Sequence, residues 1–139
     1  MKLRLTKEFE FQMAHALNGY DGKCRNIHGH NYKLFVTVEG EPLTDVGGAK
    51  KGMVIDFSDI KRIVDERVIS SFDHAFVVSE GSPFEHIEGT KMLVVPFQPT
   101  CEGLLMHFAA MLSDSFPKGV RLSSLRLHET ESSYAELVM

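Results

Sequence analysis

The 139-residue sequence has only two cysteines and no long hydrophobic run. Cys24 and Cys101 are too few for a disulfide framework, so both are expected to be thiols in a reducing compartment. No segment approaches the roughly 20 consecutive apolar residues that a membrane-spanning helix needs. The first seven residues alternate charged and hydrophobic side chains and lack the apolar core of a signal peptide. We therefore expect a cytoplasmic protein without a membrane partner.

The chain also lacks an excess of positive charge. Its formal net charge is −4, its pI is near 5.9, and it has no arginine-rich run. These features argue against nucleic acid as a partner, because phosphate contacts require a basic surface. A small anion needs only a local cluster, which Lys23, Arg25 and Lys33 could supply, although the same three residues could be solvated surface charges. The length and the ordinary composition predict one globular domain over residues 1–139.

Histidine and cysteine are concentrated in the segment from Cys24 to His30. His28 and His30 lie on one face of an extended strand, because side chains alternate with period two. Gly29 between them lets a metal, a ligand or another backbone come close. Zinc needs at least a third ligand, for which His15 is the candidate. Cys24 could close the site as a fourth, structural ligand, or it could be a free thiol acting as base or nucleophile.

Hydrophobic periodicity predicts a hairpin, with strands over residues 3–15 and 31–39 and the histidines at its loop end. Residues 40–52 are predicted to form a loop. A short extended run, 53–57, then leads into a helix with Ser58 as its N-cap. The expected apolar face of this helix comprises Ile60, Ile63, Val64, Val68 and Phe72.

The second half of the chain is predicted to contain a loop over 79–91, a short strand over 92–95, and a helix capped by Thr100. Two strands over 120–127 and 133–138 follow. The expected apolar face of the second helix comprises Leu104, Phe108, Met111, Leu112 and Phe116.

The order β-β-α-α-β-β predicts an α+β fold, a four-stranded antiparallel sheet with two helices on one face. The other face of the sheet then lacks cover, which suggests burial against other subunits.

Several separated segments of the chain match the motifs of one family in the same order: Phe11–His15, Cys24–His30, Gly52–Phe57, Asp73–His74, Pro99–Glu102 and Glu129–Thr130. They resemble the 6-pyruvoyl-tetrahydropterin synthase family, and most of all its bacterial 6-carboxy-5,6,7,8-tetrahydropterin synthases. The resemblance spans nearly the whole chain. Three features depart from it: Ala75-Phe76-Val77-Val78 follows Asp73-His74 where leucine and asparagine are usual, the stretch from His74 to Pro99 is longer than in compact members of the carboxy branch, and Gly103 stands where an asparagine or a bulkier residue is common.

The resemblance implies the tunnelling fold, in which trimers close their sheets into a barrel and two trimers stack as a homo-hexamer with active sites between subunits. It also implies a role for each matching residue. The expected zinc ligands are His15, His28 and His30. The expected catalytic residues are Cys24, as general base, and the pair Asp73 and His74, as a proton relay. The expected substrate-binding residues are Thr100, Glu102 and Glu129, of which Glu129 anchors the pterin ring.

The implied reaction converts the small molecule 7,8-dihydroneopterin triphosphate to 6-carboxy-5,6,7,8-tetrahydropterin, acetaldehyde and triphosphate, on the route to 7-deazaguanine nucleosides such as queuosine. An alternative product is 6-pyruvoyl-tetrahydropterin, formed by elimination of triphosphate. The alternative from another class is a non-catalytic zinc- or pterin-binding protein in which Cys24 closes a structural site.

Overall fold

A computed structural model describes residues 1–44 and 48–139. Its six strands form one mixed sheet in the order β4-β3-β1-β2-β5-β6. The predicted loop over 40–52 includes residues 45–47, which lie outside the described residues. The strands are β1 (Leu3–His15), β2 (His28–Gly40), β3 (Ala75–Ser79), β4 (Met92–Val95), β5 (Val120–Thr130) and β6 (Ser133–Val138). The helices are α1 (Phe57–Val64), α2 (Ser70–Phe72) and α3 (Cys101–Leu112), with a 3₁₀ turn at Lys23–Arg25.

The hairpin of β1 and β2 carries the alternating pattern that predicted it. The two strands pair antiparallel from Leu3 opposite Gly40 to His15 opposite His28. Alternate side chains of each strand face the core. The second strand begins three residues earlier than predicted, so both histidines of the His-Gly-His segment lie within β2.

The first long helix is continuous from α1 through a π-helical stretch (Asp65–Ile69) into α2. All five residues of its predicted apolar face are buried. The prediction of Ser58 as N-cap is wrong, because the carboxylate of Asp56 accepts hydrogen bonds from the Ser58 backbone N–H and hydroxyl, both at 2.8 Å. Asp56 is the last residue with extended backbone, which is where a capping side chain lies.

The predicted four-stranded antiparallel sheet is also wrong. β3 was not predicted; it pairs parallel with β1, and β4 pairs parallel with β3. The first four residues of β3 are all buried. A strand covered on both faces loses the alternation of polar and apolar residues, so its sequence gives no period-two signal.

The helices pack on one face of the sheet through aromatic side chains. Phe108 of α3 is fully buried and lies edge-on to Phe11 of β1, at 6.0 Å between ring centroids, and to Phe72, at 4.9 Å. Thr100 caps α3 as predicted, since its hydroxyl accepts from the Gly103 N–H at 3.0 Å. No helix within residues 1–44 and 48–139 is long and apolar enough to cross a membrane. On the opposite face β1 exposes polar and charged side chains: Arg4, Glu8, Glu10 and Gln12.

Candidate metal centre and adjoining cleft

Three histidines meet at the end of the hairpin. His15 is the last residue of β1 and lies directly opposite His28, the first residue of β2. His30 follows two residues later on the same face of β2. One ring nitrogen from each of the three lies within 4.8 Å of the others. The two-residue spacing and the hairpin register therefore produce the convergence that the sequence predicted.

Main-chain carbonyl groups determine which nitrogens face the centre. His15 Nδ1 lies 2.7 Å from the Pro99 carbonyl oxygen, and His28 Nδ1 lies 2.7 Å from that of Asn26. A carbonyl oxygen only accepts, so each Nδ1 carries the proton and each Nε2 carries a lone pair. The two Nε2 atoms are 2.9 Å apart. Two lone pairs at this distance repel each other, and a cation bound between them removes the repulsion.

The protonation states also suit metal binding. Burial lowers the pKa of His15, with His28 and His30 adding to the effect and the Pro99 hydrogen bond opposing it. Burial likewise lowers the pKa of His30, against the opposing charge of Glu129. Neutral imidazole is the form that binds metals. Nε2 of His30 is buried without a hydrogen-bond partner among the described residues, which fits a ligand nitrogen whose partner is a metal ion.

Tyr32 lies next along the same face of β2 and is fully buried. Its ring stacks on Phe11 at 5.0 Å and stands edge-on to His30 at 5.6 Å. Burial raises the pKa of its hydroxyl well above the ordinary value. Together these rings form an apolar support beneath the histidines. The sequence gives no signal for this role of Tyr32, because an aromatic residue in a strand is ordinary core material.

Cys24 lies in the 3₁₀ turn of the loop that joins His15 to His28. Its thiol is half-buried. Within the part of the chain that the structure describes, the cluster of potential ligand atoms comprises the three histidines and does not include Cys24. This arrangement favours a free thiol over the structural fourth ligand. The other thiol, Cys101, donates to the Leu127 carbonyl oxygen at 3.2 Å, and burial raises its pKa to about 11.

Asp73 and His74 lie side by side next to β1. Asp73 Oδ1 lies 2.9 Å from His74 Nδ1 and accepts from the Gln12 backbone N–H at 3.0 Å. The His74 N–H donates to the Gln12 carbonyl oxygen at 2.6 Å. His74 has a φ of +61°, in the left-handed region that non-glycine residues seldom occupy. Such strain persists where neighbouring bonds enforce it, and here β1 supplies two of them.

Lys91 holds the end of the preceding helix. Its ammonium group donates to the carbonyl oxygens of Ser70, at 2.7 Å, and Asp73, at 2.8 Å. A cation at this end also complements the helix dipole. Lys91 falls in the predicted loop over 79–91, and the sequence gives no signal for its role, since a surface lysine carries no local mark of its partners.

The pair and the metal centre share one cleft. A cavity of about 820 Å³ is bordered by His30, Asp73, His74 and Glu129. Glu129 lies near the end of β5, beside an irregularity in the pairing with β6, and its Oε1 is 3.8 Å from His30 Nε2. Sequence positions 30, 73, 74 and 129 are thus brought to one surface.

Thr100 and Glu102 lie apart from that cleft. The Thr100 oxygen is occupied in capping α3, and Glu102 is exposed in the first turn of the helix. The residue of this segment that touches the metal centre is Pro99, through its main-chain oxygen. Residue type gives no signal for a role of the main chain, so the sequence analysis could not select it.

Comparison with known proteins agrees with this geometry. The sequence model of the family described as 6-pyruvoyl tetrahydropterin synthase matches residues 4–138. The chain belongs to that family. It is 41% identical over 140 residues to the 6-carboxy-5,6,7,8-tetrahydropterin synthase of Haemophilus influenzae, with 96% of each chain covered. It is 30% identical over 145 residues to the protein of the same name from Rickettsia typhi, covering 97% of this chain and 99% of that one.

Solved structures share the fold of this member of the 6-pyruvoyl tetrahydropterin synthase family. An uncharacterised protein from Wolinella succinogenes superposes with a TM-score of 0.76 at 25% identity, covering 99% of this chain and 98% of that one. The 6-pyruvoyl tetrahydropterin synthase of Caenorhabditis elegans superposes with a TM-score of 0.74 at 22% identity, covering 100% and 96%. The second likeness supports the fold alone. The family predicted from the sequence motifs is confirmed.

Proposed function

We propose that this chain is a zinc-dependent lyase that converts 7,8-dihydroneopterin triphosphate and water to 6-carboxy-5,6,7,8-tetrahydropterin, acetaldehyde and triphosphate, in the synthesis of 7-deazaguanines such as queuosine. The names of the relatives from Haemophilus influenzae and Rickettsia typhi support this reaction. The observation that carries the proposal is the convergence of three histidine nitrogens beside a cleft that also contains Glu129.

Zinc is the metal that we assign to His15, His28 and His30. Three imidazoles with a fourth position open to solvent or substrate are a donor set of catalytic zinc sites. The hydrogen bonds from His15 and His28 to main-chain oxygens are the outer contacts that orient such ligands. When bound, zinc polarises an oxygen of the substrate side chain and makes the neighbouring C–H group more acidic.

Cys24 is the proposed general base that removes the proton. We assign it this role because it lies in the loop that joins two of the metal ligands, and proximity to a bound cation would favour the thiolate. Asp73 Oδ1 lies 2.9 Å from His74 Nδ1, and we propose that the carboxylate orients the imidazole that passes the proton on in the relay. In a homo-hexamer built from two trimers, this pair serves a thiol from a neighbouring subunit.

Glu129 is the proposed anchor of the pterin ring. Its two carboxylate oxygens can accept in parallel from the amino group and a ring N–H of the pterin. The Thr100 hydroxyl caps α3 through its oxygen and donates to the Gln98 carbonyl oxygen over a long 3.5 Å, a bond that a substrate acceptor could replace. We propose Thr100 and Glu102 as further substrate contacts, completed by the hexamer. The chain then functions as one cytoplasmic domain over residues 1–139, and light scattering of the purified protein tests the hexamer.

The function is tested with zinc-loaded protein and 7,8-dihydroneopterin triphosphate, with products identified by mass spectrometry. Acetaldehyde together with a carboxy-pterin supports the proposal, and removing the metal with a chelator should abolish both. A pyruvoyl-pterin without acetaldehyde would instead assign the chain to the triphosphate-eliminating reaction. Unchanged substrate that binds and is released intact would indicate a non-catalytic pterin-binding protein.

A further inference from the structure

The side-chain amide of Gln98 binds the main chain on both sides of Asn18. Its Oε1 accepts from the Asn18 N–H at 3.1 Å, and its Nε2 donates to the Asn18 carbonyl oxygen at 2.7 Å. A primary amide offers one acceptor and one donor group, and here each meets its complement across 80 positions of sequence. Both bonds go to backbone atoms, so they do not depend on the side chain at position 18.

The turn that carries Gln98 is itself held firmly. The next residue, Pro99, is buried and accepts from His15 Nδ1–H. The Thr100 N–H donates to the Gln98 carbonyl oxygen at 2.8 Å, and the Thr100 hydroxyl caps α3. The turn 98–100 is therefore fixed to the start of a helix on one side and to a metal-site histidine on the other.

Asn18 belongs to the loop 16–27, which carries Cys24. The N–H of Leu17, next to Asn18, donates to the Cys24 carbonyl oxygen at 2.8 Å. The far end of the loop is held by the bond between His28 Nδ1 and the Asn26 carbonyl oxygen. Restraining the backbone at Asn18 thus restrains the backbone of Cys24 through one intervening hydrogen bond.

We propose that Gln98 is a positioning residue that fixes the Cys24 loop to the same turn that orients His15. One turn then sets the distance between the metal site and the thiol. This inference rests on the proposed function for the role of Cys24 as base. The attachment of the loop stands on the hydrogen bonds alone.

Two substitutions test it, with one matched control. Gln98→Ala removes both bonds to Asn18, whereas Gln98→Glu keeps the volume and the acceptor but loses the donor. Asn18→Ala is the control, because both backbone bonds remain. The readouts are zinc content, kcat and KM, hydrogen exchange at the Asn18 amide, and the iodoacetamide reaction of Cys24 followed by peptide mass spectrometry.

In Gln98→Ala we expect kcat to fall between about tenfold and a hundredfold, as for a displaced reacting group, with KM within about twofold. Zinc content should stay at the wild-type level, since the Pro99 carbonyl oxygen is untouched. Exchange at Asn18 and alkylation of Cys24 should both become several-fold faster. Gln98→Glu should change in the same direction, because its second carboxylate oxygen faces and repels the Asn18 carbonyl oxygen, and Asn18→Ala should match the wild type.

Wild-type rates of exchange and alkylation in Gln98→Ala would overturn the inference. Loss of zinc in parallel with kcat would also overturn it, since the turn would then support the metal rather than the thiol. If the wild type does not turn over the pterin but both rates rise in Gln98→Ala, the proposed function fails and the attachment of the loop by Gln98 is supported.

Discussion

Replacing Gly103 with alanine tests how closely the turn 98–100 must approach α3. A Cβ atom at Gly103 would lie 2.3 Å from the Gln98 carbonyl oxygen, and 3.1 Å from a ring carbon of Phe97. The first contact is with backbone, so a side-chain rotation cannot relieve it. To reach ordinary contact the turn must move by about 1 Å. The same shift takes the Pro99 oxygen, now 2.7 Å from His15 Nδ1, to the limit of hydrogen bonding or beyond it.

Two opposing effects decide the stability of Gly103→Ala. Alanine is favoured over glycine inside a helix by up to about 1 kcal/mol. Overpacking against fixed backbone costs about 1–3 kcal/mol, and the weakened hydrogen bond to His15 costs about 1 kcal/mol more. We therefore expect a net destabilisation of about 1–3 kcal/mol. Zinc affinity should fall about 10- to 100-fold, the usual effect of losing an outer hydrogen bond to a metal ligand.

The assay combines zinc titration against a competing chelator with urea unfolding of the zinc-free protein. Gly48→Ala is the matched control, because among the described residues the nearest atom to a Cβ there is the Lys50 nitrogen at 3.9 Å. The control should keep wild-type stability and zinc affinity. If Gly103→Ala is more stable than the wild type and binds zinc equally well, helix propensity outweighs the contact, and the turn does not constrain His15 as argued.

Three further predictions concern the two thiols and the half-buried His107. Cys24→Ala should keep its zinc, and its turnover should fall about 10²- to 10⁴-fold, as for removal of a general base. His28→Ala should lose the metal. Loss of zinc in Cys24→Ala would instead favour the alternative in which Cys24 is a structural ligand. Because the pKa of Cys101 is raised from 9.0 to about 11, its thiolate fraction at pH 8 should be about a hundredfold below that of a free peptide thiol, and iodoacetamide should react correspondingly slowly. Burial lowers the pKa of His107 below 6.5, so the folded protein binds this proton more weakly than the unfolded chain. The stability that depends on neutral His107 is complete above about pH 6.5 and is lost as the pH falls towards the pKa of the folded protein. In urea unfolding, His107→Gln should therefore lose less stability than the wild type between pH 7.5 and pH 5.5. Equal losses in the two proteins would contradict this reasoning.

Local patterns in the sequence were sufficient to predict the strands and helices that bury one face and expose the other. The hairpin of β1 and β2 follows from alternation, and the helix over 57–72 follows from apolar residues at helical spacing. The histidine cluster follows from the same rule, since His28 and His30 share a face of β2 and His15 ends the partner strand. The N-cap was misplaced by two residues because Asp56 and Ser58 are both good capping residues, and only the backbone shows which one precedes the helix.

The sequence by itself thus determined the family, the hairpin, the main helices and the meeting of three histidines, because each depends on neighbours in the chain or on motifs of residue type. Only the tertiary structure decided the strand β3, its parallel pairing with β1 and β4, the bond from His15 to the Pro99 carbonyl, and the attachment of Asn18 to Gln98. Most of these contacts join positions more than 60 residues apart, and most use main-chain atoms. A main-chain carbonyl is the same for every residue type, so its partner depends on topology and leaves no mark in the sequence.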